Sequence, residues 1–313
     1  MNPLDAVPPV APEREKLTKK AVTADHPTWC PACGDFAVLA SFYKVLEKRQ
    51  LPHENIVTLA GIGCSSRFPY FVNTHGAHFI HGRSVPLASA ISLARPDLHV
   101  FLFGGDGDGL SIGGNHLDHG ARKNVNLTYV IMDNFVYGLT KKQTSPTSPI
   151  GYKSKTDPTG VIDHPVNPIK KLIAAGATFV ARTHAAQVNH MIQMMERAMD
   201  HDGFSVIECL SECIEFFPGA FDAGNPRKGG EFKVIEEKKW DDSPEDEARH
   251  DVTDEIAAYR LADVAFPGLF GVFYEIDRPT KNALEQKWVE SSRAKLNHAS
   301  DLEILQKTFD RMK

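Results

Sequence analysis

Four cysteines and one acidic glycine turn carry the most visible chemistry in this chain. Cys30 and Cys33 form a CPAC pair, Cys64 stands in GIGCSSR and Cys213 in LSEC. Between Cys64 and Cys213 lie GGDGDG, residues 104–109, and MDNFVYG, residues 132–138. A CxxC pair can hold zinc, an iron–sulfur cluster or a redox disulfide. Cys64 and Cys213 each follow an apolar run, so two further thiolates from distant strand ends can complete a four-thiolate site. Cys209 lies inside VIEC and reads as a small buried hydrophobe. The glycine turn suits a magnesium diphosphate, because Mg²⁺ takes six oxygens and commonly holds a ligand's phosphates, leaving few positions for protein. Asp106 offers a carboxylate oxygen, Asn134 an amide oxygen 28 residues later, and Val136 its backbone carbonyl. Gly105, Gly107 and Gly109 let backbone N–H groups approach phosphate oxygens, and a helix starting near Ser111 adds its positive end. A lone GDG is also an ordinary turn. Its spacing to Asn134, across one helix and one strand, is what points to a metal. Asp108 either meets the diphosphate loop or caps the following helix. A chain with both features is expected to break a carbon–carbon bond on an organic cofactor and send the electrons into a cluster.

These residues need a frame that gathers strand ends. Short apolar runs at 56–60, 99–103, 127–132, 178–182 and 204–210 read as buried strands, and 34–49, 85–94, 111–123, 168–176 and 186–200 as helices. The alternation predicts an α/β fold, a mostly parallel sheet with helices on both faces, whose ligands lie beyond the carboxyl ends of the strands. Val188, Met191, Ile192, Met195 and Met199 form a stripe that reads as core packing. Residues 138–168, rich in Pro, Ser, Thr and Gly, form a connection long enough to be functional. Three regions are expected: an N-terminal arm at 1–25, a ligand-binding domain at 26–216, and a charged C-terminal extension at 217–313 that either docks on a partner or forms a solvated tail and ends in one or two surface helices.

The chain has 313 residues, 42% of them hydrophobic, and a formal net charge of −5 with Lys and Arg dispersed. That leaves no nucleic-acid stripe. No apolar run reaches the roughly 18 residues of a membrane span, and the N-terminus has no apolar signal core. A cytoplasmic protein is the default. Five cysteines argue for metal or redox use over a disulfide framework.

The spacing from Asp106 to Asn134 resembles the GDG…N signature of thiamine-diphosphate enzymes. GIGCSSRFPYF, HGR, GGDGDGLSIGGNH, YGLTK and SPTS further resemble the β subunit of 2-oxoacid:ferredoxin oxidoreductases, over about Trp29 to Cys213. CSSRFPY and DHPVNP (163–168) resemble the 2-oxoglutarate branch. The resemblance implies the thiamine-diphosphate-binding fold, thiamine diphosphate, Mg²⁺ on Asp106, Asn134 and Val136, and one [4Fe–4S] cluster on Cys30, Cys33, Cys64 and Cys213. It implies cofactor contacts at Ile62, Gly63, Cys64 and Ser65, at His81, Gly82, Arg83 and Ser84, at Gly107 and Asp108, and at Gly138 and Leu139. The implied reaction is the reversible, CoA-dependent oxidative decarboxylation of 2-oxoglutarate to succinyl-CoA and CO₂, with reduction of ferredoxin. His81 and Arg83 are candidate polar contacts to cofactor or substrate, Arg67 and Lys141 candidate cations for the 2-oxoacid or CoA phosphates, and Leu139 a shaper of the pocket. The glutamate that activates thiamine has no matching motif here, so an α subunit is expected to supply it, in a dimer of αβ units. Pyruvate is the alternative substrate, and a non-redox thiamine-dependent decarboxylase or synthase with structural zinc the alternative class. The family often has CPGC where this chain has CPAC, a change expected to matter little. It commonly has YGLTKGQ where this chain has YGLTKKQ, so altered backbone angles or neighbours are expected at Lys142.

Overall fold

The run Ile56–Ala60 is buried at all five positions, and Leu127–Asp133 and Phe204–Leu210 at all seven. Such continuous burial marks strands covered on both faces. In this computed structural model, which describes residues 16–240, 243, 245–295 and 300–312, the strands are β1 Ile56–Ala60, β2 His75–His78, β3 His99–Gly105, β4 Leu127–Asp133, β5 Val136–Tyr137, β6 Gln143–Thr144, β7 Phe179–His184, β8 Phe204–Leu210 and β9 Gly271–Glu275. The α-helices are α1 Lys19–Val22, α2 Asp35–Arg49, α3 Ser84–Ala94, α4 Gly114–Lys123, α5 Pro168–Ala174, α6 Val188–Asp200, α7 Glu255–Ala262, α8 Lys281–Lys295 and α9 Asp301–Arg311. Seven strands form one sheet in the order β2-β1-β3-β4-β8-β7-β9. All neighbours are parallel except β7 and β9.

Alternate side chains of the central strands enter two separate cores. On one face Val130 and Met132 pack with Phe42 and Leu46 of α2 and with Met191, Met194, Met195 and Ala198 of α6. The methionine stripe is therefore core, with Met194 and Ala198 buried in it and Val188 only half-buried. Phe68 and Phe103 stack there at 3.6 Å between centroids, and Phe42 meets Phe103 edge-on at 5.0 Å. Such aromatic pairs contribute about 0.5–1.5 kcal/mol each beyond area burial. On the other face Tyr129 and Ile131 pack with helices α3, α4, α5 and α7 through Val85, Leu117, Leu172 and Ala258.

The charged C-terminal region is more integrated than its composition suggests. Gly271–Glu275 enters the sheet as its seventh strand, antiparallel to β7, and α7 covers one face. Glu237 and Glu275 share Arg197 of α6 at 2.7 and 2.5 Å. Only α8 and α9 are the surface helices expected, with Trp288, Leu302 and Phe309 exposed. At the other end, Leu17 and Val22 are buried and Thr23 bridges Val72, so residues 16–25 are bound to the body. Residues 1–15 lie outside the described residues. Among the described residues no helix is long and apolar enough to cross a membrane.

Parallel strands send their carboxyl ends to one edge, where crevices between loops take ligands. The end of β1 leads into GIGC, of β3 into GDG, of β4 into Asn134, and of β8 into Cys213. These four segments thus meet on that edge.

Candidate active site

β1 ends at Gly61, where a Cβ would stand 2.2 Å from both carboxylate oxygens of Asp108. Glycine is required there because Asp108 is folded back under the turn, 2% exposed. Its Oδ1 accepts from the backbone N–H of Ile62 at 2.8 Å, the N–H of Gly82 at 2.8 Å, and Nδ1 of His81 at 2.7 Å. Asp108 caps no helix. It pins the GIGC turn to the HGR turn and fixes the proton of His81 on Nδ1, which leaves Nε2 for the cavity. The chain enters helical turns directly after Asp106, as a wide turn over Gly107–Ile112 followed by α4. The positive helix end therefore lies closer to Asp106 than the expected start near Ser111. Gly107 has a second reason to be glycine: a Cβ would strike Tyr137 Cε1 at 2.1 Å, and Tyr137 donates its hydroxyl to Gly107 O at 3.2 Å.

Asn134 and Val136 line one cavity with Asp106, and Phe135 between them adopts φ 61°. That left-handed angle is a genuine outlier for a bulky residue. It folds the strand end into a tight turn, in which Phe135 N–H donates to Asp133 Oδ1 and Val136 N–H to Asn134 Oδ1, both at 3.0 Å. The result is a cavity of about 400 Å³ lined by Ile62, Gly63, Cys64, Ser65, His81, Gly105, Asp106, Gly107, Asp108, Asn134, Val136, Gly138 and Leu139, with Tyr137, Thr140, Gln143, Thr144 and Thr156 completing the wall. Burial pushes the Asp106 carboxyl above its ordinary range, against the Ser145 and Thr147 hydroxyls. Burial, then Asp106 and Glu208, push Asp133 well up. Each of these two buried carboxyls, joined through the Thr147 hydroxyl, disfavours charge on the other.

A second cavity, of about 300 Å³, holds the thiols. Cys30, Cys33, Cys64 and Cys213 line it, with Trp29, Asp35, Arg67, Lys141 and Phe216. The CPAC turn begins α2, whose Gly34 N–H donates to Glu212 O at 3.1 Å, while Ser211 Oγ donates to Asp35 Oδ1 at 2.6 Å. These two bonds tie the first cysteine segment to the last. Trp29 Nε1 donates to Cys64 O at 2.7 Å and ties in the third. Burial and Asp35 push the Cys64 thiol up to about 12, and push Cys33 higher still. Bare thiolates are disfavoured in such a cavity, whereas bound metal deprotonates its thiols outright. A Cβ on Gly138 would stand 3.5 Å from Cys213 Sγ and 3.7 Å from Cys64 Sγ, so glycine keeps the space between two of the sulfurs open. Cys209 is fully buried in the core, with Sγ 3.7 Å from Met191 Sδ. Cys64, Asn134, Gly138 and Leu139 line both cavities.

Residues 61–209 match the family of thiamine pyrophosphate enzymes, C-terminal TPP-binding domain. The chain is 37% identical over 262 residues to the β subunit of 2-oxoacid:ferredoxin oxidoreductase 1 of Aeropyrum pernix, covering 83% of this chain and 80% of that one. The chain belongs to the 2-oxoacid:ferredoxin oxidoreductase β-subunit family. It is 46% identical over 217 residues to 2-oxoglutarate oxidoreductase subunit KorB of Mycobacterium tuberculosis, over 69% of this chain, and spans 58% of that relative's length. A solved structure, the 2-oxoglutarate:ferredoxin oxidoreductase from Magnetococcus marinus with 2-oxoglutarate, coenzyme A and succinyl-CoA bound, superposes with a TM-score of 0.81 at 36% identity, over 94% of this chain and 96% of that one.

The motifs of this β-subunit family do not all face the cofactor cavity. Gly82, Arg83 and Ser84 do not line it. Arg83 Nη1 donates to Ile112 O at 3.0 Å and to Gly82 O at 3.2 Å, and Ser84 is buried at the start of α3. Arg67 and Lys141 line the thiol cavity instead, across the shared wall. Tyr137, Thr140, Gln143, Thr144 and Thr156 are lining residues that the sequence did not single out. All but Tyr137 belong to the Ser/Thr-rich connection, whose length was the one available signal.

Both departures from the family pattern fall on left-handed backbone. Ala32 has φ 67° and Lys142 φ 77°, next to Lys141 at 75°. The CPAC alanine therefore bears more on the turn than its small size suggests, since the left-handed region costs a residue with Cβ about 1–2 kcal/mol. Lys142 occupies the same angle region that a glycine adopts freely. Ala32→Gly and Lys142→Gly are each expected to stabilise the folded chain by about 1 kcal/mol net, after the extra entropy of an unfolded glycine. Denaturant unfolding of the isolated chain checks this. Unchanged or lower midpoints would show that the left-handed angles carry no strain.

Proposed function

We propose that this chain is the β subunit of a thiamine-diphosphate-dependent 2-oxoglutarate:ferredoxin oxidoreductase. It converts 2-oxoglutarate and CoA to succinyl-CoA and CO₂, reversibly, as a cytoplasmic enzyme assembled with an α subunit in a dimer of αβ units. The observation that carries the reading is the wall shared by the two cavities. A diphosphate-type cavity and a four-thiol cavity meet at Cys64, Asn134, Gly138 and Leu139, so a cofactor and a redox centre would stand side by side. Thiamine diphosphate supplies the electron sink on which the bond to CO₂ breaks, and a [4Fe–4S] cluster the one-electron acceptor. Asp106 and Asn134 would hold Mg²⁺ by side-chain oxygens and Val136 by its carbonyl. The cavity fits that ion, with a buried carboxyl held high by desolvation and loops kept open by Gly105 and Gly107. Cys30, Cys33, Cys64 and Cys213 would hold the cluster. Asp108 keeps His81 oriented.

Among the described residues, no Lys, Arg or Glu lines the cofactor cavity. The α subunit therefore brings the activating carboxylate and the cation that reads the second carboxylate of 2-oxoglutarate. The 2-oxoglutarate branch rests on CSSRFPY and DHPVNP and on relatives named for that substrate. The assembled enzyme is expected to prefer 2-oxoglutarate over pyruvate by at least about 100-fold in specificity, because pyruvate leaves a desolvated cation unpaired. CoA-dependent initial rates with one low-potential acceptor measure the ratio, and the isolated chain serves as the blank. Equal rates for the two acids would remove the substrate assignment. Turnover by the isolated chain would remove the need for the partner.

A further inference from the structure

Thr147 belongs to none of the strands that build the site, yet it touches two of their ends. It is 3% exposed and lies in SPTS, within the long connection after β5. Its Oγ1 stands 2.7 Å from Asp106 Oδ2 and 2.8 Å from Asp133 Oδ1. One residue on, Ser148 Oγ donates to the carbonyl of Phe135 at 2.6 Å and accepts from Ser145 N–H at 2.9 Å. Two adjacent hydroxyls thus grip the left-handed turn on either side of Asn134, and one of them also holds Asp106. A threonine hydroxyl has a single proton, so it can donate to only one of the two carboxylate oxygens it faces. It therefore links the two strand ends through one hydroxyl oxygen. The same connection supplies Thr140, Gln143, Thr144 and Thr156 to the cofactor cavity.

We propose that Thr147 is the positioning residue of the metal site: its hydroxyl sets the Asp106 carboxylate for the cation and fastens the 138–168 connection over the cofactor cavity. This rests on the magnesium reading above. The test uses the assembled enzyme stripped of cofactor by a chelator, with Mg²⁺ titrated against a fixed concentration of thiamine diphosphate and cofactor binding followed by calorimetry. Thr147→Val, which keeps the shape and loses the hydroxyl, is expected to raise the half-saturating Mg²⁺ concentration by about 10–100-fold, the range for groups that orient metal ligands. Thr147→Ser should stay within about threefold of wild type, with iron content unchanged in both. Limited proteolysis within residues 150–162 should be slowed by Mg²⁺ and cofactor in wild type and Thr147→Ser, and not in Thr147→Val. If Thr147→Val does not assemble, the pair Thr147→Ala and Thr147→Ser decides on the same readouts. A Val variant with wild-type Mg²⁺ dependence, or a Ser variant as weak as Val, overturns the inference while leaving the metal reading intact. Cofactor binding that needs no Mg²⁺ in the wild type removes the metal reading itself, and the inference with it.

Discussion

Alanine in place of any one of Cys30, Cys33, Cys64 or Cys213 is expected to strip the enzyme of its brown colour and of most of its iron. Wild type prepared without oxygen should hold about four iron atoms per chain. The four thiols come from three separate segments and line one cavity, so a cluster binds only where the fold has already gathered them. Loss of one ligand leaves an open corner in a cavity where burial disfavours a bare thiolate. Cys209→Ala is the internal control. That thiol lies in the core beside Met191, so its loss should cost stability by a small cavity and leave iron and colour untouched. Iron and acid-labile sulfide, measured per chain by the same assay in all five variants, decide the matter. Stoichiometric zinc in anaerobic wild type would replace the redox reading with a structural one.

Asp106→Ala is expected to weaken Mg²⁺-dependent retention of thiamine diphosphate by at least about 100-fold, beyond the range seen for residues that only orient a ligand, with the iron content unchanged. The two cavities have different ligand sets, so their losses should separate. Asp106 is 2% exposed, and its carboxylate sits where Gly105 and Gly107 bring backbone close. Alanine removes the charge without opening the turn. Asp106→Asn keeps an oxygen and should fall between alanine and wild type. Cofactor content after gel filtration, with and without Mg²⁺, gives the answer. An alanine variant that retains cofactor like wild type would place the metal elsewhere.

The residues that line the two cavities were largely legible in the sequence for a simple reason. Cysteine and the Asp–Gly alternation are restricted in what they do well, and the apolar runs that precede them are short and bounded by glycine. A run such as IVTLA followed by GIGC can be read as a strand with a loop at its carboxyl end, and a parallel sheet then sends all such loops to one edge. The partners inside the site were not legible. Asp108 clamps Ile62, His81 and Gly82, residues 46, 27 and 26 positions away, and nothing in GDG marks a carboxylate for that use. Thr147 is one hydroxyl among many in a Ser/Thr-rich stretch, and only its two carboxylate contacts single it out. Arg83 looked like a cofactor contact by its place in HGR, yet its guanidinium meets backbone carbonyls.

Strand β9 escaped notice because the charged segment before it hides the short run GVFYE, and an edge strand added antiparallel needs no helix to announce it. The sequence by itself determined the local grammar: which runs are strands, which turns demand glycine, and which side chains have the chemistry of metal ligands. Tertiary structure alone decided which of those side chains face the same cavity. The reason is physical. Element type follows from periodicity over a few residues, whereas convergence of Cys30 with Cys213, or Thr147 with Asp106, depends on strand order and loop path, and these are set by packing over the whole sheet.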